Sequence, residues 1–199
     1  RDAFGREQYF SSPFYFTQAA LRKGLPEYSF GLGYQRRQFG IASDDYGPLA
    51  GTGFYRYGVT DFVTLGARAE ASEDIFNLGP NMTILGGRWG LFNSTLSFSS
   101  DSANQGYAGV FDYAIQTRKF NASASVLAQS KNYARIGVDS RFNTRLEART
   151  SLSYGPFTLS YLTSRPYQRE EQTSYGVSVT PRMPSPRLSL FASLRRFEA

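Results

Sequence analysis

Alternation with a period of two most limits what this chain can fold into. From Tyr28 the large residues fall on every second position, Tyr28, Phe30, Leu32 and Tyr34, with Ser29, Gly31, Gly33 and Gln35 between them. A β-strand sends alternate side chains to opposite faces. The segment therefore has one greasy, aromatic face and one small, polar face. Charge is held back to its end, at Arg36 and Arg37. A soluble sandwich would turn the greasy face inward and dress the other with charge. A strand between lipid and a polar lumen, with charge at the rim, reads as this one does.

The pattern recurs along the chain and predicts about a dozen strands. The first falls within Gln8–Leu21, followed by the opening strand, Leu49–Tyr57, Phe62–Ala71, Pro80–Leu85 and Leu91–Ser99. Tyr107–Gln116, Phe120–Gln129, Leu146–Tyr154, Phe157–Thr163, Thr173–Thr180 and Leu188–Phe197 complete the set. Glu73–Gly79 and Ser100–Gly106 read as loops, and Ser130–Thr144 as a long link with a short strand near Ile136. Short links near Gly24, Gly58, Gly87, Arg118, Gly155 and Pro184 then alternate with long polar ones near Gly40, Asp74, Ala103, Arg135 and Arg169. An up-and-down barrel sorts its links this way, and Greek-key crossings do not. Ten residues at ~3.3 Å, tilted by about 40°, rise roughly 25 Å, the height of an outer-membrane apolar band. The expected fold is all-β, an antiparallel up-and-down transmembrane β-barrel of about 12 strands, with residues 1–199 as a single segment.

Composition removes several function classes. Lys and Arg total 22 against 16 Asp and Glu, but the basic pairs are scattered, so no patch suits nucleic acid. The chain has no Cys and no His. That excludes disulfides, thiolate sites and the familiar triads. No apolar run reaches the ~18 residues a spanning helix needs, which does not bear on a barrel. The adjacent acids Asp44-Asp45, Glu73-Asp74 and Glu170-Glu171 fall in expected loops, where solvated carboxylates are the ordinary case, although their oxygens would suit calcium. No catalytic residue, cofactor or metal site is expected. Three Asn-x-Ser/Thr matches, at Asn81, Asn93 and Asn121, lie in strands and carry little weight.

Parity assigns the faces. Tyr28, Phe30, Leu32, Val63, Leu65, Phe111, Tyr113, Ile115, Leu188 and Leu190 are expected to face lipid, with Tyr34, Tyr55, Tyr57, Tyr154 and Tyr161 as lipid contacts or interface girdle. Ser29, Gly31, Gly33, Thr64, Ser123 and the charged Arg56, Arg68, Glu70, Asp112, Glu147 and Arg149 are expected to line a lumen. Such charges form either a charged pore wall or strand-to-strand ion pairs; alternation does not separate the two.

Several stretches resemble the outer-membrane usher of chaperone–usher pili. They are Arg1–Gln8, Leu21–Gly33, Tyr46-Gly47, Arg56–Asp61, Thr64-Leu65, Gly86-Gly87 and the region from Tyr161 to Tyr167, in that order and over nearly the whole chain. The usher family re-enters its barrel after a plug domain at a segment similar to Leu21–Gly33. The resemblance implies a non-enzymatic pore in the Gram-negative outer membrane that secretes and assembles pilus subunits. Its partners would be membrane lipid, the subunits and periplasmic chaperone–subunit complexes. It implies a middle portion of a barrel with roughly twice these strands, the plug and periplasmic domains lying outside it. The start at Arg1, with no initiator Met, fits such a piece. A closed dozen-stranded barrel would be about 24 Å across its backbone, too narrow for a folded subunit with a radius of gyration of about 13 Å. The rival expectations are a small outer-membrane porin passing small solutes and a soluble all-β binding domain.

Overall fold

The structure, a computed structural model, describes residues 19–36, 46–138, 140–180 and 192–198. Within them the chain forms eleven strands: β1 (Pro26–Arg36), β2 (Tyr46–Gly58), β3 (Val63–Ser72), β4 (Ile75–Leu85), β5 (Leu91–Asp101), β6 (Gln105–Gln116), β7 (Phe120–Gln129), β8 (Thr144–Tyr154), β9 (Phe157–Pro166), β10 (Gln172–Val179) and β11 (Ala192–Glu198). They make one sheet whose spatial order is the chain order, each strand antiparallel to the next. The only helical turns among the described residues are two short 3-10 pieces, Gly87–Trp89 and Ser140–Phe142. The fold is therefore the expected all-β, antiparallel, up-and-down sheet. Eleven strands stand in place of about 12, and among the described residues no pairing joins β11 to β1. Most of the strand expected within Gln8–Leu21 lies outside the described residues, as do Asp44-Asp45, Leu188 and Leu190.

The registers carry one parity across the sheet. Tyr28 pairs with Tyr55, Tyr55 with Ala67, Ala67 with Pro80; further on Phe92 pairs with Tyr113, Tyr113 with Ala124, Ala124 with Thr150, and Thr150 with Tyr161. One face thus collects Tyr, Phe, Leu, Val and Ala. The other collects Ser, Thr, Asn, Gly and the charged Glu27, Arg56, Arg68, Glu70, Asp112, Glu147 and Arg149. Exposure is inverted relative to a water-soluble domain. Phe30 is 74% exposed and Leu32 79%, whereas Arg56 is 1% exposed and Thr64 and Ser99 are fully buried. Cross-strand ring pairs stiffen the apolar face, with Phe92 4.7 Å from Tyr113 and Tyr161 5.3 Å from Tyr175 between ring centroids.

The expected alternation of link lengths does not hold. Glu73 and Asp74 alone join β3 to β4, and Ser102–Asn104 alone join β5 to β6, so these links are as short as those at the other end. Ile75–Gly79, expected as loop, is strand, because polar residues on a sheet with a polar face mark that face and not a turn. Asn77 is a ladder partner of Glu70 on one side and Ser99 on the other. The β4–β5 ladder skips Gly79 and Pro80, as a proline without an N–H requires. Near Ile136 there is an isolated bridge between Arg135 and Val138 in place of a strand.

Candidate functional site

The polar face is where the sheet concentrates its chemistry. It has a covered half over β2–β5 and the start of β6, and an open half over the rest of β6 to β10.

Two chain segments cover the first half. The segment leading into β1 crosses the end of β2 and β3: Leu21 N–H donates to Thr64 Oγ1 at 2.8 Å, and Lys23 N–H to Asp61 Oδ1 at 3.1 Å. Beneath it lies Arg56, whose guanidinium donates to Glu27 Oε2 at 2.7 Å, to the Ala19 carbonyl at 2.8 Å and to Thr83 Oγ1 at 3.2 Å. Thr83 in turn donates to Asn93 Oδ1 at 2.7 Å. The side chain reaches from β2 to β4 across β3 because residue 66 is glycine. A Cβ there would stand 2.7 Å from Arg56 Cγ and 2.5 Å from the Tyr55 carbonyl oxygen.

The second cover is the link from β7 to β8, residues 130–143, which folds back over β4, β5 and β6. Tyr133, 2% exposed, accepts from Asn77 Nδ2 at 2.8 Å and donates to Ser97 Oγ at 3.0 Å. Ser97 donates to Asn77 Oδ1, and the Ala134 N–H donates to Ser99 Oγ at 2.9 Å. Asn143 Nδ2 holds the link from within, through the carbonyls of Tyr133 at 2.7 Å and Lys131 at 3.0 Å. Gly106 admits it, since a Cβ there would be 2.4 Å from Tyr133 Cα. Arg135 follows Tyr133. Burial pushes its guanidinium below the ordinary value, and the neighbouring Tyr133 and Glu70 draw it back.

The charged residues expected on one face do share it. Arg56, Arg68 and Glu70 lie on the covered half; Asp112, Glu147 and Arg149 lie on the open half. Asp112 and Arg149 flank Ser125 in one cross-strand row. The Glu27–Arg56 ion pair crosses between neighbouring strands. Arg68 binds Glu70, and Arg149 Nε donates to Glu147 Oε1 at 2.7 Å, each two residues along its own strand. The shared face of a strand is what places i and i+2 together in these two pairs. Glu27, Asn77, Ser97 and Tyr133 were not singled out in the sequence. Parity marks the first three as polar-face residues; nothing periodic marks Tyr133. On the open half Ala114, Gln116, Asn121, Ser123, Ser151 and Ser153 border a shallow cavity of about 600 Å³. Among the described residues no cluster of three or more Asp or Glu could hold a metal ion, and no helix is long and apolar enough to cross a membrane.

A long antiparallel meander, greasy on one face and polar on the other, is the kind of sheet from which β-barrel walls are built. The fold is similar to that of the P pilus usher (PapC) translocation pore, with a TM-score of 0.69 and 17% sequence identity. The likeness covers 89% of this chain and 40% of that one, so the chain spans about two-fifths of the pore it matches. No family model matches the sequence, and no curated protein matches it.

Proposed function

We propose that this chain is part of the wall of an outer-membrane usher pore, through which pilus subunits delivered by a periplasmic chaperone are secreted and assembled. The observation that carries the reading is the inverted sheet: exposed apolar side chains on one face and buried polar ones on the other, in a fold similar to a usher translocation pore. Exposed greasy area on this scale is sustained by lipid rather than water. Arg68, Glu70, Asp112, Glu147 and Arg149 then line the pore, with Arg56 beneath the segment that enters β1, and the chain catalyses nothing. In this reading transport draws on strand exchange between subunits.

Single cysteines test the faces, since the native chain has none. In liposomes a water-soluble thiol reagent should modify Ser29→Cys, Gly33→Cys and Ser123→Cys, all exposed on the polar face, much faster than Phe30→Cys, Leu65→Cys and Phe111→Cys. Equal labelling of both sets sinks the membrane reading. Pilus assembly in cells tests the rest: disruption of this segment in its parent protein should abolish piliation. A stable single-channel conductance from a monodisperse monomer of this chain would point instead to a small-solute porin.

A further inference from the structure

The two rims of the sheet differ in charge. One rim is formed by the segment entering β1 and the links Val59–Phe62, Gly86–Gly90, Thr117–Lys119 and Gly155–Pro156. Backbone hydrogen bonds tie it together: Gly24 N–H to the Gly58 carbonyl at 2.8 Å, Leu85 N–H to that of Phe62 at 2.7 Å, and Gly155 N–H to that of Lys119 at 3.1 Å. Among the described residues its charged side chains are Arg22, Lys23, Arg88, Arg118 and Lys119, all exposed, against the single acid Asp61. None of the five cations forms an ion pair among the described residues. The opposite rim carries both signs, Glu73, Asp74, Glu170 and Glu171 standing there with Lys131, Arg141 and Arg169.

The same rim also carries aromatic rings beside its cations, as the opposite rim does where Arg169 stands 5.1 Å from the centroid of Phe142. Exposed aromatic rings interleave with its cations: Phe62 at 59% exposure, Trp89 at 63%, Tyr154 at 64% and Phe157 at 55%. Arg88 stacks on Trp89, its guanidinium carbon 4.9 Å from the ring centroid. Amphipathic rings seat at the boundary between acyl chains and headgroups, and Lys and Arg beside them meet the phosphates there. Successive turns on this rim are two strands apart, roughly 10 Å, so each basic turn meets a headgroup of its own.

We propose that this rim is a binding ring for anionic glycerophospholipids, with Arg88, Arg118 and Lys119 engaging the headgroup phosphates and Trp89 seated just below them. The assignment rests on the pore-wall reading, since it needs the apolar face in a bilayer.

Trp89 is the chain's only tryptophan and reports on its own surroundings. The inserted protein is mixed with acyl-brominated phosphatidylglycerol or phosphatidylcholine, and Trp89 quenching gives the relative affinity of each lipid for the rim. Phosphatidylglycerol should be favoured several-fold, and the preference should weaken at high salt. The variant R118Q/K119Q, which leaves the Arg88–Trp89 stack in place, and the triple variant R88Q/R118Q/K119Q should bring the ratio progressively towards one. R165Q/R169Q, on the opposite rim, should leave it unchanged. Equal quenching by both lipids in protein that has inserted, judged by protease protection, overturns this assignment and leaves the pore-wall reading standing. Displacement of phosphatidylglycerol by lipopolysaccharide at lower concentration overturns the choice of phospholipid. Failure to insert into any vesicle, with no quenching, overturns the pore-wall reading and this one with it.

Discussion

A single missing side chain decides the path of the most buried cation described. Gly66 sits between Arg56 and Asn81 in a cross-strand row, and its hydrogen is what Arg56 slides over to reach Thr83. Gly66→Ala should therefore cost about 1–3 kcal/mol, the range for overpacking, because the new methyl meets a backbone carbonyl at 2.5 Å and must move it. Gly33→Ala is the matched control: nothing lies within 4 Å of a Cβ there. It should be neutral or gain up to about 1 kcal/mol from reduced chain entropy. Denaturant unfolding in detergent compares the two, and equal effects would show that Arg56 does not depend on the gap.

Among the elements, the link 130–143 departs most from its ordinary role. A surface loop exposes its backbone to water. This one buries a tyrosine and satisfies its backbone with serine and asparagine side chains of β4 and β5. Removing the Tyr133 hydroxyl leaves Ser97 without a buried donor and Asn77 without an acceptor, though Asn77 Nδ2 also reaches the Ala134 carbonyl at 3.3 Å. Tyr133→Phe should cost about 1–2 kcal/mol and raise proteolysis within the link. Tyr107→Phe, at a 71% exposed ring, should change neither. The link was legible in the sequence as long and polar, but its inward fold was not. Its docking depends on Gly106, distant in sequence from Tyr133, and no local periodicity encodes that encounter.

For the whole molecule, the solvent of the apolar face is the question that matters. Leu96 stands mid-strand in β5, 59% exposed on the apolar face. Leu96→Arg should cost about 2–4 kcal/mol in a bilayer, as charge does on the lipid face of a barrel near its midplane. In a water-soluble sheet the same change would be neutral or would improve solubility. Ser123→Arg, exposed on the polar face of β7, should cost under about 1 kcal/mol in either setting. Folding yields into liposomes measured for both variants distinguish the two: a harmless Leu96→Arg argues against a membrane wall.

The alternation of Tyr28, Phe30, Leu32 and Tyr34 with small and polar residues by itself determined strand positions and faces. A period of two is a local property that survives any register preserving parity. That is why Arg56, Arg68, Glu70, Asp112, Glu147 and Arg149 fall on one face as read from sequence. Tertiary structure alone decided which half of that face is covered, that Arg68 and Arg149 pair along their own strands, and that Ile75–Gly79 and Gln105-Gly106 continue strands rather than turn. Each of these turns on which backbone arrives from elsewhere in the chain, at Gly66, Gly106 or Thr64. The free energy of such an encounter lies in shape and hydrogen bonds across the sheet, which neither composition nor periodicity records.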